Sequence, residues 1–437
     1  MSRDSPHVPS RMTDRSPQPP LHVERGSLQH AILPSLVRTG GRGVRLLIFL
    51  LMMLSVPQSD ADPFMAFAVT DPPFTSLTYG IQAFLWWDHG FAGRDLDWVR
   101  LMVFSHVKQT FAWEDIEPVD DQFNFTRADA LLDEFERRDL RVVARLSDAP
   151  PWAFSSANRS ASADIHDTPP DNLADYADFC GALAERYRGR IAAYQIWNEP
   201  NLGREWGGAT PDAAGYVGLL AACSSAIRRV DPDAILISAG LAPTGTWDAT
   251  TTPDDVYLQA LYDADFTRHI DVVGLNAPGY NQPPHVSPDE AQQMGGQRFF
   301  TFRRVEDMRQ IMIRNGDAAR QVAILELGWT TDQIHPDYSW FAVDDLTQAR
   351  YLVEAYRYAA EHWQPWVGLM SMIYIADPDW TANDEELWWS ITRPNGATTQ
   401  SYFDLANMAK FCGDRVIPAR APDSAEAMGF VPVDPCD

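Results

Sequence analysis

Cysteine is scarce in this chain, four residues in 437, and none of the four stands at zinc-finger spacing. No His-Glu-x-x-His helix, no Gly-x-Ser-x-Gly elbow and no Gly-Lys-Ser/Thr phosphate loop occurs. Those absences remove the usual signatures of a zinc peptidase, a serine hydrolase and a P-loop nucleotide enzyme. Basic residues are also few, 35 Lys and Arg against 60 Asp and Glu, for a net charge of −25. Such a body repels nucleic acid and anionic lipid, and no basic stripe offsets it. Anionic polymers are poorer partners than neutral ones on the same ground. Long apolar runs are missing as well: Leu46 to Val56 is the one candidate, and its eleven residues fall short of the roughly 20 that cross a bilayer.

That run has the length and flank of a signal-peptide core, because Arg38, Arg42 and Arg45 precede it. Ser59-Asp60-Ala61 supplies small residues for cleavage after Ala61. Residues 44–61 therefore read as a signal peptide or, uncleaved, as a membrane anchor attached through residues 44–56; a start codon assigned too early is a third reading. Export to the cell surface or medium is the expected localisation. Residues 1–43, rich in Pro, Ser and Arg without periodicity, read as disordered. Residues 1–61 carry seven Arg and four acids, net +3, which leaves −28 for the remainder. The cysteines suit an oxidising compartment and allow three pairings. Cys412 with Cys436 would tie down the Pro-rich tail, and Cys180 with Cys223 would either link consecutive helices or stay as free buried thiols.

What is present is an alternation of apolar runs and helical periodicity. Strands are expected at Leu77 to Ala83, His106 to Ala112, Leu140 to Leu146, Ile191 to Ile196, Ala234 to Ala239, Ile270 to Leu275, Val322 to Leu325 and Val367 to Tyr374. Helices are expected over Arg127 to Arg138, Leu173 to Tyr187, Ala213 to Val230, Val256 to Asp263, Phe302 to Arg314, Leu346 to Trp363 and Tyr402 to Phe411. Strands and helices alternating with no second run of strands predict an α/β fold, a single (β/α)8 TIM barrel over 75–415 with a tail at 416–437.

Two of these strands end in glutamate. Glu199 lies in Trp197-Asn198-Glu199-Pro200-Asn201 after the fourth strand, and Glu326 follows Val322-Ala323-Ile324-Leu325, the seventh. A side chain at the C-terminal end of a barrel strand faces the mouth where barrel enzymes react. Asn-Glu-Pro-Asn by itself also makes an ordinary turn; the second glutamate at the expected unit count favours a pair of acting carboxylates.

On Asn198-Glu199 and Glu326 the chain resembles the retaining glycoside hydrolases of clan A, with families 5 and 39 nearest. The resemblance implies a retaining β-glycosidase or endo-β-glycanase, Glu199 as acid/base, Asn198 on the sugar 2-hydroxyl and Glu326 as nucleophile. It implies no metal or organic cofactor, since two carboxylates meet both roles. The segment His106-Val107-Lys108-Gln109 puts Lys108 where the clan usually has Arg, and Asn276 stands where a His is common. Lys108 either lowers the pKa of Glu326 or points to solvent, with Arg145 a second candidate for that role. Tyr280 either donates to Glu326 or braces its loop. Trp380 matches the clan's sugar platform, and Trp329 lies on another mouth loop. The departures at Lys108 and Asn276 keep a second reading open, a glycan-binding barrel without catalysis; a transglycosylase remodelling a cell-surface polysaccharide is a third. The partner in each is an oligo- or polysaccharide, and oligomeric state is not legible.

Overall fold

The computed structural model describes residues 69–87, 90–155, 167–412 and 415–417. The expected signal or anchor segment, the disordered segment before it and most of the tail with Cys436 lie outside the described residues. Eight parallel strands close into a barrel in sequence order: β1 (Thr78–Ala83), β2 (His106–Ala112), β3 (Arg141–Ser147), β4 (Ala193–Ile196), β5 (Ile235–Ser238), β6 (Val272–Pro278), β7 (Gln321–Gly328) and β8 (Val367–Met372). The outer layer is α1 (Ala92–Leu101), α2 (Thr126–Glu136), α3 (Leu173–Arg186), α4 (Ala213–Val230), α5 (Asp254–Asp263), α6 (Arg304–Arg314), α7 (Asp345–His362) and α8 (Gln400–Asn407). The expected TIM barrel is the fold.

Both faces of each strand are covered, so the apolar residues divide into two cores. Val143, Ala193, Ile237, Val272, Ala323, Leu325 and Leu369 fill the barrel, with Phe74 joining them. Phe74 is tied to β7 by both ends of the Gln321 amide: its N–H donates to Oε1 at 3.0 Å and its carbonyl accepts from Nε2 at 2.9 Å. The alternate residues, such as Val107, Val142, Tyr194, Val273 and Ile324, pack outward against the helices. Period-two alternation thus survives inside runs that look uniformly apolar, as parallel strands require.

One break in the alternation lies beside the strand-end glutamate of β7. On β6 and β7, Leu275 pairs with Ile324 but Asn276 pairs with Glu326, leaving Leu325 as an extra residue without a partner on β6. This bulge lets consecutive residues turn inward: Leu325 into the barrel core and Glu326 onto Lys108.

Helix starts follow their caps. Asn172 accepts from Ala174 N ahead of α3, and Asp344 from Thr347 N ahead of α7. Cys180 of α3 and Cys223 of α4 form a disulfide with Cα atoms 5.4 Å apart, which selects the helix-linking alternative over free thiols. It closes a sequence separation of 43, for which loop-closure entropy gives about 4 kcal/mol. Replacing both cysteines with serine is expected to lower the unfolding free energy by up to about that much, read from urea midpoints of the two proteins.

Two expectations need correction. The sixth strand runs on to Pro278, past the expected end at Leu275, and includes Asn276. The last helix stops at Asn407, and Lys410–Cys412 then pairs antiparallel with Arg415–Ile417, a small second sheet where none was expected. The hairpin is anchored to the barrel where Phe411 N donates to Tyr79 Oη at 2.6 Å. A helix starting at Ala92, between β1 and β2, was also not anticipated.

Candidate active site

β4 and β7 carry the two glutamates to the same end of the barrel, and Asn276, at the end of β6, joins them. Its Nδ2 donates to Glu199 Oε1 at 2.9 Å and to Glu326 Oε2 at 3.4 Å, so those two carboxylate oxygens lie at most 6.3 Å apart. The amide is tightly seated: a Cβ added to Gly240 would stand 2.1 Å from Asn276 Oδ1. Asn276 therefore sets the carboxylates' spacing from a strand, the most rigid element available.

Each glutamate also has a cation. Lys108, from β2, donates through Nζ to Glu326 Oε1 at 2.7 Å. It is 1% exposed, which excludes the reading that it points to solvent. Burial pulls its ammonium pKa down, and the Glu326 charge opposes that shift. Arg204 donates through Nη2 to Glu199 Oε2 at 2.5 Å. Burial raises the Glu199 pKa above the usual carboxylate value; Arg204 works against this, the charges of Glu326 and Glu205 add to it, and the Asn276 hydrogen bond opposes it. The local chain at Glu199 is held at φ 31, a left-handed conformation that non-glycine residues rarely adopt.

The other expected residues have these partners. Arg145 lies beside Glu205, with Nη2 3.9 Å from Oε2, while its Nε donates to Ser147 Oγ at 3.0 Å. Asn198 is buried and hydrogen-bonds Glu205, and its Oδ1 accepts from Gln195 Nε2 at 3.4 Å. Tyr280 does not reach Glu326: its hydroxyl donates to Pro243 O at 3.3 Å, so it braces the loop after β5. Trp329 is fully buried, its ring against Phe302 and Tyr351 and its N–H donating to Gln282 O at 2.9 Å. A Cβ on Gly279 would fall 1.9 Å from that indole. Trp329 therefore packs the base of the loops and has no free face for a sugar. Trp380 is half-buried against Phe84 and Tyr374, with ring centroids 5.4 and 5.6 Å away.

Three residues near the glutamates escaped sequence reading. Arg204 and Glu205 sit five and six positions after Glu199 in the same loop, and a charged pair so close to a strand-end glutamate was the available signal. Tyr374, after β8, has its hydroxyl pKa pushed well up, by burial first and then by the Glu326 charge. Among the described residues, Glu117, Asp120 and Asp121 bring carboxylate oxygens within 4.8 Å of one another. Both Glu117 oxygens, however, already accept hydrogen bonds, from Trp113 Nε1 and Asp121 N.

Two carboxylates this close, one raised in pKa and one paired with a lysine, can divide proton transfer and nucleophilic attack between them. Residues 95–250, a little over a third of the chain, match the model of Glycosyl hydrolases family 39. No curated protein sequence matches the chain. Among solved structures, a family 39 glycoside hydrolase from the gut symbiont Bacteroides cellulosilyticus WH2 is similar at 17% identity and TM-score 0.57, over 77% of this chain and 64% of that one. This chain thus spans less than two thirds of that enzyme's length. A family 39 β-xylosidase from Caulobacter crescentus is similar at 16% identity and TM-score 0.53, over 79% and 73% of the two chains. A family 10 endoxylanase from a sugarcane soil metagenome aligns over 76% of this chain and 97% of its own, at 16% identity and TM-score 0.51. At these identities the likeness is one of fold, and it agrees with the resemblance to clan A glycoside hydrolases carried by Asn198-Glu199 and Glu326.

Proposed function

We propose that this chain is a retaining glycoside hydrolase that cleaves β-linked glycans by double displacement, with Glu326 as nucleophile and Glu199 as acid/base. One observation carries the reading: Asn276 holds both carboxylates from one amide nitrogen. The resulting ceiling on the distance between those two oxygens accommodates the roughly 5–5.5 Å of a retaining pair.

In the first step Glu326 attacks the anomeric carbon, the glycosidic C–O bond breaks and the departing oxygen takes the Glu199 proton. In the second a water attacks the glycosyl-enzyme ester and gives its proton to Glu199, and Glu326 leaves as carboxylate. Lys108 holds the nucleophile's other oxygen through its 2.7 Å contact. Trp380 offers an apolar face to a sugar ring beside Tyr374. The substitutions that set this chain apart from the clan, Lys108 and Asn276, both contact the carboxylates, which favours catalysis over a binding-only barrel.

The test is proton NMR of the first product formed from β-linked xylo- and gluco-oligosaccharides. The β-anomer is expected to appear first and then mutarotate; an α-anomer formed first would overturn the mechanism. The Arg204 contact yields a second expectation. Arg204 lowers the Glu199 pKa, so Arg204→Gln removes a lowering influence and Glu199 keeps its proton to higher pH. The alkaline limb of the kcat/KM profile, where a general acid is lost, is expected to move to higher pH in that variant. An unmoved or lowered limb would deny Glu199 the acid role.

Export is proposed with this activity. The Cys180–Cys223 disulfide favours an oxidising compartment, and an extended glycan is a substrate met outside the cell.

A further inference from the structure

Three loops at the mouth end of the barrel carry aromatic rings that the mechanism does not use. Trp247, on the loop after β5, is 71% exposed, and Trp340, on the loop after β7, is 44% exposed. Between them lie Phe299 and Phe300 of the β6 loop, half-buried, with ring centroids 4.5 Å apart. Phe300 lies 5.3 Å from Trp340 and 4.3 Å from Tyr280. On the other side, a Cβ on Gly245 would fall 2.2 Å from the Phe299 ring, so the loop bearing Trp247 is pressed onto the same aromatic run. Tyr280 starts this run four residues after Asn276, which bridges the two glutamates.

The backbone on either side of Trp247 is held. Thr246 N donates to Thr244 Oγ1 at 3.1 Å and Asp248 N to Thr251 O at 3.0 Å, on either side of it. The same loop is stitched to the loop that bears Glu199: Gly203 N donates to Thr250 O at 2.6 Å and Thr252 N to Asn201 O at 3.0 Å. A large ring kept in water on a bonded loop has less backbone freedom left for binding to remove. An exposed apolar surface continuous with a site is the usual mark of a ligand groove. Flat indoles cover the apolar face of a pyranose, and the acidic body favours an uncharged ligand.

We propose that Trp247, Phe299, Phe300 and Trp340 form a platform that binds further units of a neutral, β-linked glycan on the leaving-group side of the cleaved bond, which makes an oligo- or polysaccharide the substrate. The identification of the cleaved bond rests on the glycosidase reading above; the platform does not. The leaving-group side follows from the hydrogen bonds between the Trp247 loop and the Glu199 loop.

The test compares wild type with Trp247→Ala and Trp340→Phe on 4-nitrophenyl β-xyloside and β-glucoside and on xylohexaose and cellohexaose. The readout is the ratio of kcat/KM on the hexasaccharide to kcat/KM on the aryl glycoside of the same sugar. Trp247→Ala is expected to lower this ratio about tenfold, equivalent to 1.4 kcal/mol, with a smaller fall for Trp340→Phe, which keeps a ring. An unchanged ratio in an active enzyme overturns the platform and leaves the glycosidase standing. Electrophoretic retardation in gels containing soluble arabinoxylan or mixed-linkage β-glucan reads the platform without turnover. Retardation lost in Trp247→Ala, from a wild type that hydrolyses nothing, would keep the platform and overturn the glycosidase. Neither hydrolysis nor retardation by wild type would overturn both.

Discussion

Glu326→Ala is expected to lower kcat by about 10⁴-fold or more, the scale on which loss of a covalent group acts in other enzymes. The reason is local: among the described residues Glu326 is the carboxylate that shares Asn276 with Glu199. Added azide should restore turnover by attacking the anomeric carbon in the space the carboxylate leaves. The product would be a glycosyl azide of configuration opposite to the substrate, because only one displacement occurs. An azide of the substrate's own configuration would assign the nucleophile elsewhere. The substitution also strands Lys108, 1% exposed, without its 2.7 Å partner. Breaking a buried pair costs about 3–5 kcal/mol, so urea unfolding of the variant must accompany the kinetics to separate lost chemistry from lost structure.

Glu199→Gln should act differently on different substrates. For glycosides with a poor leaving group the first step needs the proton, and kcat/KM is expected to fall by about 10² to 10⁴-fold, the usual contribution of general acid catalysis. For 4-nitrophenyl glycosides the leaving group departs without help, and the loss should show mainly in kcat, as the glycosyl-enzyme accumulates for want of a base. A burst of nitrophenol followed by slow turnover is the expected trace. In this variant azide should yield a glycosyl azide of retained configuration, the reverse of the Glu326→Ala result. Equal losses on both substrate classes would mean that Glu199 positions the substrate and donates no proton to it.

Much of this architecture was legible because parallel strands covered on both faces are short, apolar and separated by helices at regular spacing. β2 and α4 fall on the residues that the periodicity marks. The carboxylates were legible for a related reason: a glutamate closing an apolar run has few places to go except the mouth. The partners were harder to read, since they depend on direction and not on position. Tyr280 lies at a strand exit on the same side as the carboxylates, yet its hydroxyl turns to Pro243 O. Trp329 follows Glu326 by three residues, but Gly279 leaves room for its indole to fold under the loops. Arg204 and Glu205 carry ordinary loop composition; only the fold of that loop, with Trp197 Nε1 donating to Glu205 O at 2.8 Å, brings them back over Glu199.

The unpaired Leu325 deserves a last consequence, because it makes the nucleophile's address a matter of counting. Strand side chains alternate between two faces, so a regular β7 that points Leu325 into the barrel would deliver Glu326 to the helix layer, away from Lys108 and Asn276. One surplus residue reverses the parity for everything after it. Straightening β7 with Leu325 kept inward would therefore silence the carboxylate without touching it, whereas deleting that leucine would place Glu326 directly after the outward Ile324 and leave it facing Asn276.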